Sequence, residues 1–193
     1  MKTLFSHIFI FTCILTAWSS HAQNNKVENF TLTNLQTGAA FSLTDTKDVQ
    51  CVVIVVTSAY CPYSKSYKER IIKLSQQLEH EKQSVKLVMI NPDNEQDSED
   101  AMKAEAKTYA LPYLWDKGNT VTTQLQAAKT PEVFVLQQSL GHFILKYHGA
   151  IDDNPQVAAE VTKPYLMQAI QACLEKGNVD APFQKPTGCL IKK

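Results

Sequence analysis

An excess of charge of either sign is missing from this sequence: 19 basic side chains face 19 acidic ones, and Arg70 is the only arginine. A balanced chain lacks the electrostatic footprint of a protein that binds nucleic acid or an acidic membrane surface, so neither partner is expected. Apolar runs are short, none reaching the ~20 residues that a bilayer-spanning helix needs. No pair of cysteines has metal-ligand spacing and no histidine cluster lies near one, which argues against a zinc site. The acidic stretch "DNEQDSED" lacks the glycine and ligand spacing of a calcium loop and reads as a solvated loop leading into a charged first helical turn. Internal repeats are absent too, and no metal or cofactor is expected.

The first 22 residues, "MKTLFSHIFIFTCILTAWSSHA", combine the early charge of Lys2, an apolar stretch from Ile8 to Trp18, and small residues at Ser20 and Ala22. That pattern predicts a secretory signal peptide cleaved near Ala22 and a secreted or periplasmic protein with no stable membrane insertion afterwards. Cys13 lies inside the apolar run, not after it, which disfavours a lipid-attached N-terminus. The mature chain, 23–193, has about the length of one domain with a full-sized core. Four cysteines remain in it: Cys51, Cys61, Cys173 and Cys189. In an oxidising compartment they allow three pairings, among which spacing does not choose.

"ENFTLTNLQTGAAFSLTD" alternates apolar and polar residues around "QTG", predicting an antiparallel hairpin. "CVVIVV", residues 51–56, is nearly all β-branched, as suits a central strand covered on both faces. From Pro62 to about Leu78, Tyr67, Ile71, Leu74 and Leu78 fall at helical spacing, and proline is tolerated in a first turn. "VKLVMIN" is a second buried-type strand, so the order strand, helix, strand implies parallel pairing through a right-handed crossover. Next come a helix to about Tyr109, a short helix in "NTVTTQLQAA", and a second hairpin formed by "KTPEVFVLQ" and "FILKYHG". A last helix is expected from about Pro155 to Glu175, kinked or broken at Pro164, started by Asp152 and Asp153, with Val161, Tyr165, Ile170 and Leu174 facing the sheet. The tail from about residue 177 is rich in Gly and Pro and reads as irregular. Together these elements predict an α/β domain with one mixed central sheet flanked by helices.

Cys61 stands where the central strand passes into a helix. Unpaired backbone N–H groups and the positive end of the helix dipole favour the thiolate there, and the thiolate is the nucleophile toward disulfides and peroxides. Cys51 and Cys173 instead read as small buried apolar residues on a strand and on the inner side of a helix. Ser64 has two readings, a hydrogen-bond donor to the Cys61 thiolate or a helix-start residue that satisfies backbone N–H groups. Tyr147 and His148 invite a role as base for the thiol, although a lone histidine at a strand end is more often structural.

"AYCPYS" resembles the redox site of the thioredoxin fold, in which an aromatic residue, a cysteine, two spacers including a proline, and a second cysteine open the helix. Tyr60, Cys61 and Pro62 match that motif, and Ser64 replaces its second cysteine. About 70 residues on, "KTPEVFV" resembles the fold's threonine-proline step, so the resemblance implies that Thr130 and a cis Pro131 oppose the cysteine and dock the substrate chain. The N-terminal hairpin, the insertion between "MIN" and "LPYLWD", and the phrases "TPEVFV", "YHGAIDDN" and "GCLIK" resemble the redoxin branch. More narrowly, they resemble the peroxiredoxin-like secreted proteins of the alkyl hydroperoxide reductase and thiol-specific antioxidant (AhpC/TSA) superfamily, over residues 26–193.

Departures from these relatives shape the expected chemistry. The peroxidatic cysteine of peroxiredoxins aligns with Ser64; Ile54 stands where their proline would be if Cys61 were peroxidatic, only Ser58 fits their Thr or Ser, and their later-strand arginine is missing. Copper-delivery relatives would need a cysteine at Lys65. Thioredoxin-like exchange needs a second thiol to resolve the mixed disulfide on Cys61, and Ser64 cannot serve. Cys189, in "PTGCLIKK", is the candidate resolver, against a structural disulfide with Cys51 or Cys173 or a free tail thiol. The leading expectation is an extracytoplasmic thiol-disulfide oxidoreductase that acts through Cys61 on protein or small-molecule thiols and disulfides, with an external electron donor. The alternatives are a weak thiol-dependent peroxidase passing through sulfenic acid, and a non-catalytic module that binds cysteine-containing clients.

Overall fold

The computed structural model describes residues 25–192, so the expected signal segment lies outside the described residues. Eight strands form one continuous mixed sheet: β1 (Lys26–Val27), β2 (Thr31–Asn34), β3 (Ala40–Ser42), β4 (Cys51–Val56), β5 (Val85–Pro92), β6 (Tyr113–Asp116), β8 (Glu132–Ser139) and β9 (His142–Gly149). They run in the order β1-β9-β8-β4-β5-β6-β2-β3, with the short β10 (Phe183–Gln184) added beside β9. The two remaining strands, β7 (Lys129–Thr130) and β11 (Cys189–Leu190), pair only with each other. The helices are α1 (Pro62–His80), α2 (Glu99–Ala106), α3 (Thr120–Gln124) and α4 (Tyr165–Leu174).

β4 is central and buried throughout, which is why its sequence carries no polar alternation. It runs parallel to β5 through the α1 crossover and antiparallel to β8. Cys51, Val53 and Val55 face a layer built with Tyr67, Ile71 and Leu78 of α1, Met102 and Ala106 of α2, and Leu166, Ala169 and Ile170 of α4. Val52, Ile54 and Val56 face the opposite layer, where Leu43, Val121, Leu125 and Phe134 close the core. Period-two alternation of side-chain direction along one buried strand thus becomes two apolar layers, each closed by different elements. Both expected hairpins form, β2–β3 and β8–β9, and Leu140 and Gly141 turn the second with positive φ values of 50° and 79°.

Two expectations fail. The last helix does not run from Pro155: it starts at Tyr165, with Pro164 at its N-cap. Proline disfavours helical geometry at the preceding residue, and the Asp153 carboxylate accepts the Thr162 and Lys163 N–H groups, which holds that stretch out of the helix. Asp152 and Asp153 therefore do not start a helix. Val161 lies outside the element, and the face that reaches the core is Leu166, Ala169, Ile170 and Cys173. The tail is also more ordered than an irregular reading allows, since β10 lies parallel to β9 and β11 lies antiparallel to β7. Among the described residues, no helix is long and apolar enough to cross a membrane.

Candidate functional site

Cys61 is the N-cap residue of α1, with extended backbone (φ −71°, ψ 121°), and Pro62 fills the first helical position, where a missing N–H costs nothing. Its carbonyl accepts the Lys65 N–H and starts the helix. The Cys61 side chain is 3% exposed, and its Sγ lies 3.0 Å from the Thr130 carbonyl oxygen, placed to donate when it carries a proton. The Thr130–Pro131 peptide is cis, as the resemblance to the threonine-proline step implies. Cys61 and Cys189 are joined by a disulfide, with Cα atoms 6.0 Å apart.

The tail reaches the site as a strand. Cys189 pairs with Thr130 and Leu190 with Lys129, the Ile191 N–H donates to the Ala128 carbonyl at 3.1 Å, and Lys129 Nζ donates to the Gly188 carbonyl at 3.1 Å. Only glycine fits at 188, because a Cβ there would collide with the Thr130 carbonyl. The β7 segment is itself held from below: one carboxylate oxygen of Glu132, a side chain 2% exposed, accepts the N–H groups of Ala128 (2.8 Å) and Lys129 (3.1 Å).

The loop from β4 to Cys61 is fastened by three side chains. Ser64 Oγ accepts the Ser58 N–H at 3.3 Å and Ser58 Oγ accepts the Tyr60 N–H at 3.2 Å, so Ser64 satisfies an N–H of the loop that precedes the helix. Asn91, fully buried at the end of β5, accepts the Ala59 N–H (3.2 Å) and the Tyr113 hydroxyl (2.8 Å), and donates to Asp97 (2.9 Å). Burial, more than any neighbouring charge, pushes the Tyr113 hydroxyl pKa well above its ordinary value and keeps it a donor. Nothing periodic in the sequence singles out Asn91 or Glu132; the only local signals are a polar residue closing an apolar run and an acid directly after the Thr-Pro step.

A cavity of about 300 Å³ opens beside the disulfide, lined by Tyr60, Cys61, Pro62 and Pro92 on one side and Cys189, Leu190 and Ile191 on the other. Tyr60 stands at its rim, 61% exposed. Tyr147 and His148 are not among its lining residues. Tyr147 donates to the Ala150 carbonyl at 2.6 Å, while the His148 ring packs between Phe134 and Phe183 and faces Glu132 at 3.6 Å. Arg70 is committed elsewhere, bound at 2.8 Å to Asp152, which also accepts the Tyr67 hydroxyl. Burial and that hydrogen bond both raise the Tyr67 pKa.

The second cysteine pair departs from its expected role. Cys51 and Cys173 form a disulfide between the first residue of β4 and the inner face of α4. Both are fully buried, so the pair has the burial of apolar core residues while adding a covalent tie.

The sequence model of the AhpC/TSA family matches residues 24–154, a stretch that holds Cys61, Thr130 and Pro131 and ends before Cys189. No curated protein matches the chain. Two solved structures of uncharacterised proteins are each 27% identical: one from Sinorhizobium meliloti, covering 87% of this chain and 92% of that one with a TM-score of 0.76, and one from Geobacillus kaustophilus, covering 88% and 91% with a TM-score of 0.75. A secreted Mycobacterium tuberculosis disulfide oxidoreductase homologous to E. coli DsbE is 16% identical, covering 74% of this chain and 95% of that one, with a TM-score of 0.53. At that identity the likeness is one of fold, and the fold is thioredoxin-like.

Proposed function

The chain belongs to the AhpC/TSA family, and from that premise we propose that it is an extracytoplasmic thiol-disulfide oxidoreductase with Cys61 as attacking thiolate and Cys189 as resolving thiol. The observation that carries this reading is the Cys61–Cys189 bond at the start of α1, facing the Thr130–Pro131 step. The reduced Cys61 thiolate attacks one sulfur of a substrate disulfide and expels the other as a thiolate, leaving a mixed disulfide. Cys189 thiolate then attacks the Cys61 sulfur and expels the second substrate sulfur as a thiolate, so the two electrons given up by the two cysteines reside on the reduced substrate and the enzyme is left with the Cys61–Cys189 bond. An external thiol donor restores the dithiol. Both cysteines line the cavity and Cys189 is the less buried residue of the two, which favours attack by the donor at Cys189.

Support for an extracytoplasmic setting comes from the signal-like residues 1–22 and from two disulfides in one chain, bonds that persist in oxidising compartments. Peroxide reduction has less behind it, because the one arginine is tied to Asp152 and not aimed at Cys61. The decisive test is a substrate disulfide offered to reduced Cys189→Ser. Mixed disulfide should accumulate on Cys61 in that variant, as mass spectrometry of digests would show, and none should form in Cys61→Ser. Turnover by Cys189→Ser at the wild-type rate without an adduct would sink the assignment.

A further inference from the structure

We propose that the Lys129–Pro131 backbone edge, where the resemblance to the threonine-proline step already puts the partner chain, selects an extended polypeptide carrying Gly-Cys-X-aliphatic, and that the chain's own tail fills this edge in the oxidised state and vacates it on reduction. The inference rests on the thiol-disulfide reading and names the partner of that same site.

The tail shows what an occupant must be. Gly188, Cys189, Leu190 and Ile191 lie antiparallel to β7, with Cys189 opposite Thr130 and its sulfur on Cys61, the arrangement of a polypeptide caught in a mixed disulfide. Strand addition of this kind takes affinity from backbone hydrogen bonds and selectivity from alternate side chains. Immediately before the cysteine there is no room: a Cβ at 188 would meet the Thr130 carbonyl carbon at 2.8 Å and the Pro131 nitrogen at 3.2 Å, and would overlap the carbonyl oxygen. The residue after the cysteine is free, since Leu190 is 73% exposed. The next one, Ile191, packs against the layer that contains Val121 and Leu125, so an aliphatic side chain belongs there.

The same contacts explain release. β7 pairs with nothing but β11, and two-residue strands are marginal in water without other support. Glu132 holds the β7 side, and the covalent support of the tail side is the disulfide. Once the disulfide is reduced, the tail keeps this short ladder, the Ile191 to Ala128 bond, the Ile191 packing and the Lys129 contact to Gly188, all of them non-covalent, and an equivalent segment of another chain can replace it.

The test uses full-length Cys189→Ser with Cys61 reduced, and acetylated peptides containing Gly-Cys-Ala-Ile whose cysteine is activated as a mixed disulfide with thionitrobenzoate. Cys61 thiolate attacks the peptide sulfur, a Cys61–peptide disulfide forms, and thionitrobenzoate leaves with the electron pair and is read by absorbance. The Gly-Cys-Ala-Ile peptide should react about tenfold faster than peptides with Val before the cysteine or Asp two residues after it. Equal rates would overturn the docking site. If Cys61 reacts with dithionitrobenzoate but does not discriminate among peptides, docking alone fails; if it reacts with no disulfide, the underlying thiol-disulfide reading fails. Hydrogen exchange on the wild-type chain should show the Ile191 amide protected when oxidised and unprotected when reduced, and protection that survives reduction would overturn release. A covalent dimer joined through Cys61 and Cys189 would give the edge to a second copy's tail and also count against the proposal.

Discussion

Cys189 sits opposite Thr130 in the same antiparallel pair that brings its sulfur onto Cys61, so the disulfide and the tail strand hold the same segment against the site. The other bond, Cys51–Cys173, joins two fully buried residues and lines no cavity described beside the first. Thiol-disulfide exchange requires access of the attacking thiolate to a sulfur. The two bonds should therefore separate under graded reduction. Differential alkylation with mass spectrometry is expected to find Cys189 and Cys61 labelled first, while Cys51 and Cys173 stay bonded until the domain unfolds. Replacing Cys51 and Cys173 by alanine should cost about 2–4 kcal/mol of stability in urea titrations and leave Cys61 reactive. Simultaneous reduction of both pairs in the folded protein would contradict this division.

Asn91 is a support of the cysteine loop and not a bystander of β5. Its side chain serves the Ala59 N–H, the Tyr113 hydroxyl and Asp97 at once, all of them buried partners. Asn91→Ala leaves the Ala59 N–H and the Tyr113 hydroxyl without that partner, at about 1–3 kcal/mol for each one left unsatisfied, while Asp97 keeps its hydrogen bond from Asn94. A loss of about 3 kcal/mol is the expected result by chemical denaturation. The Ala59 amide should also exchange with solvent faster in Asn91→Ala than in the wild type. A variant with native stability and unchanged exchange would show that water replaces the side chain.

Much of this architecture is legible in the residues themselves. β4 and α1 follow from a nearly unbroken β-branched run and from Tyr67, Ile71 and Leu78 at helical spacing, and β5 from the largely apolar run "VKLVMIN", patterns that the core layers then use as expected. What escapes a reading of the chain depends on partners far away in sequence. A buried disulfide between Cys51 and Cys173, separated by 122 residues, has the composition of two small apolar side chains. Asn91 meets Ala59 and Tyr113 only after the sheet forms, and the Glu132 contacts to Ala128 and Lys129 need the backbone to turn at the cis step. The short helix α4 reads as a longer one because apolar spacing continues across Pro164, while the Asp153 hydrogen bonds that prevent it leave no periodic trace.

Those bonds make the 153–163 loop sensitive to acid. The hydrogen bond from the Thr162 hydroxyl, then that from the Lys163 N–H, lower the Asp153 pKa to about 2. An unfolded aspartate titrates near ~3.9. The folded value is depressed, so the contribution of Asp153 is fully present above the unfolded value, declines as pH falls from there through about 2, and is absent below. The Thr162 and Lys163 amide shifts should follow a midpoint near pH 2 in an NMR titration and lose that step in Asp153→Asn. A midpoint at the unfolded value would mean that the loop is not held by this carboxylate.

On the proposed mechanism, Ser64 is the position that leaves resolution to a distant thiol. It is 5% exposed, one helical turn into α1, and its hydroxyl is engaged by the Ser58 N–H. Ser64→Cys restores a second sulfur at the spacing of the thioredoxin-type site, next to a Cys61 that already caps the helix. An intramolecular bond across two spacer residues closes a far smaller loop than the 128-residue separation of Cys61 and Cys189, so less chain entropy opposes it. Peptide mapping of oxidised Ser64→Cys should find Cys61 bonded to the introduced sulfur in place of much of Cys61–Cys189, with the tail strand released from β7. The variant should also resolve mixed disulfides on Cys61 when Cys189 is replaced by serine. If the oxidised variant keeps only Cys61–Cys189, the tail strand outcompetes the nearer thiol, and β11 would then be a permanent part of the domain.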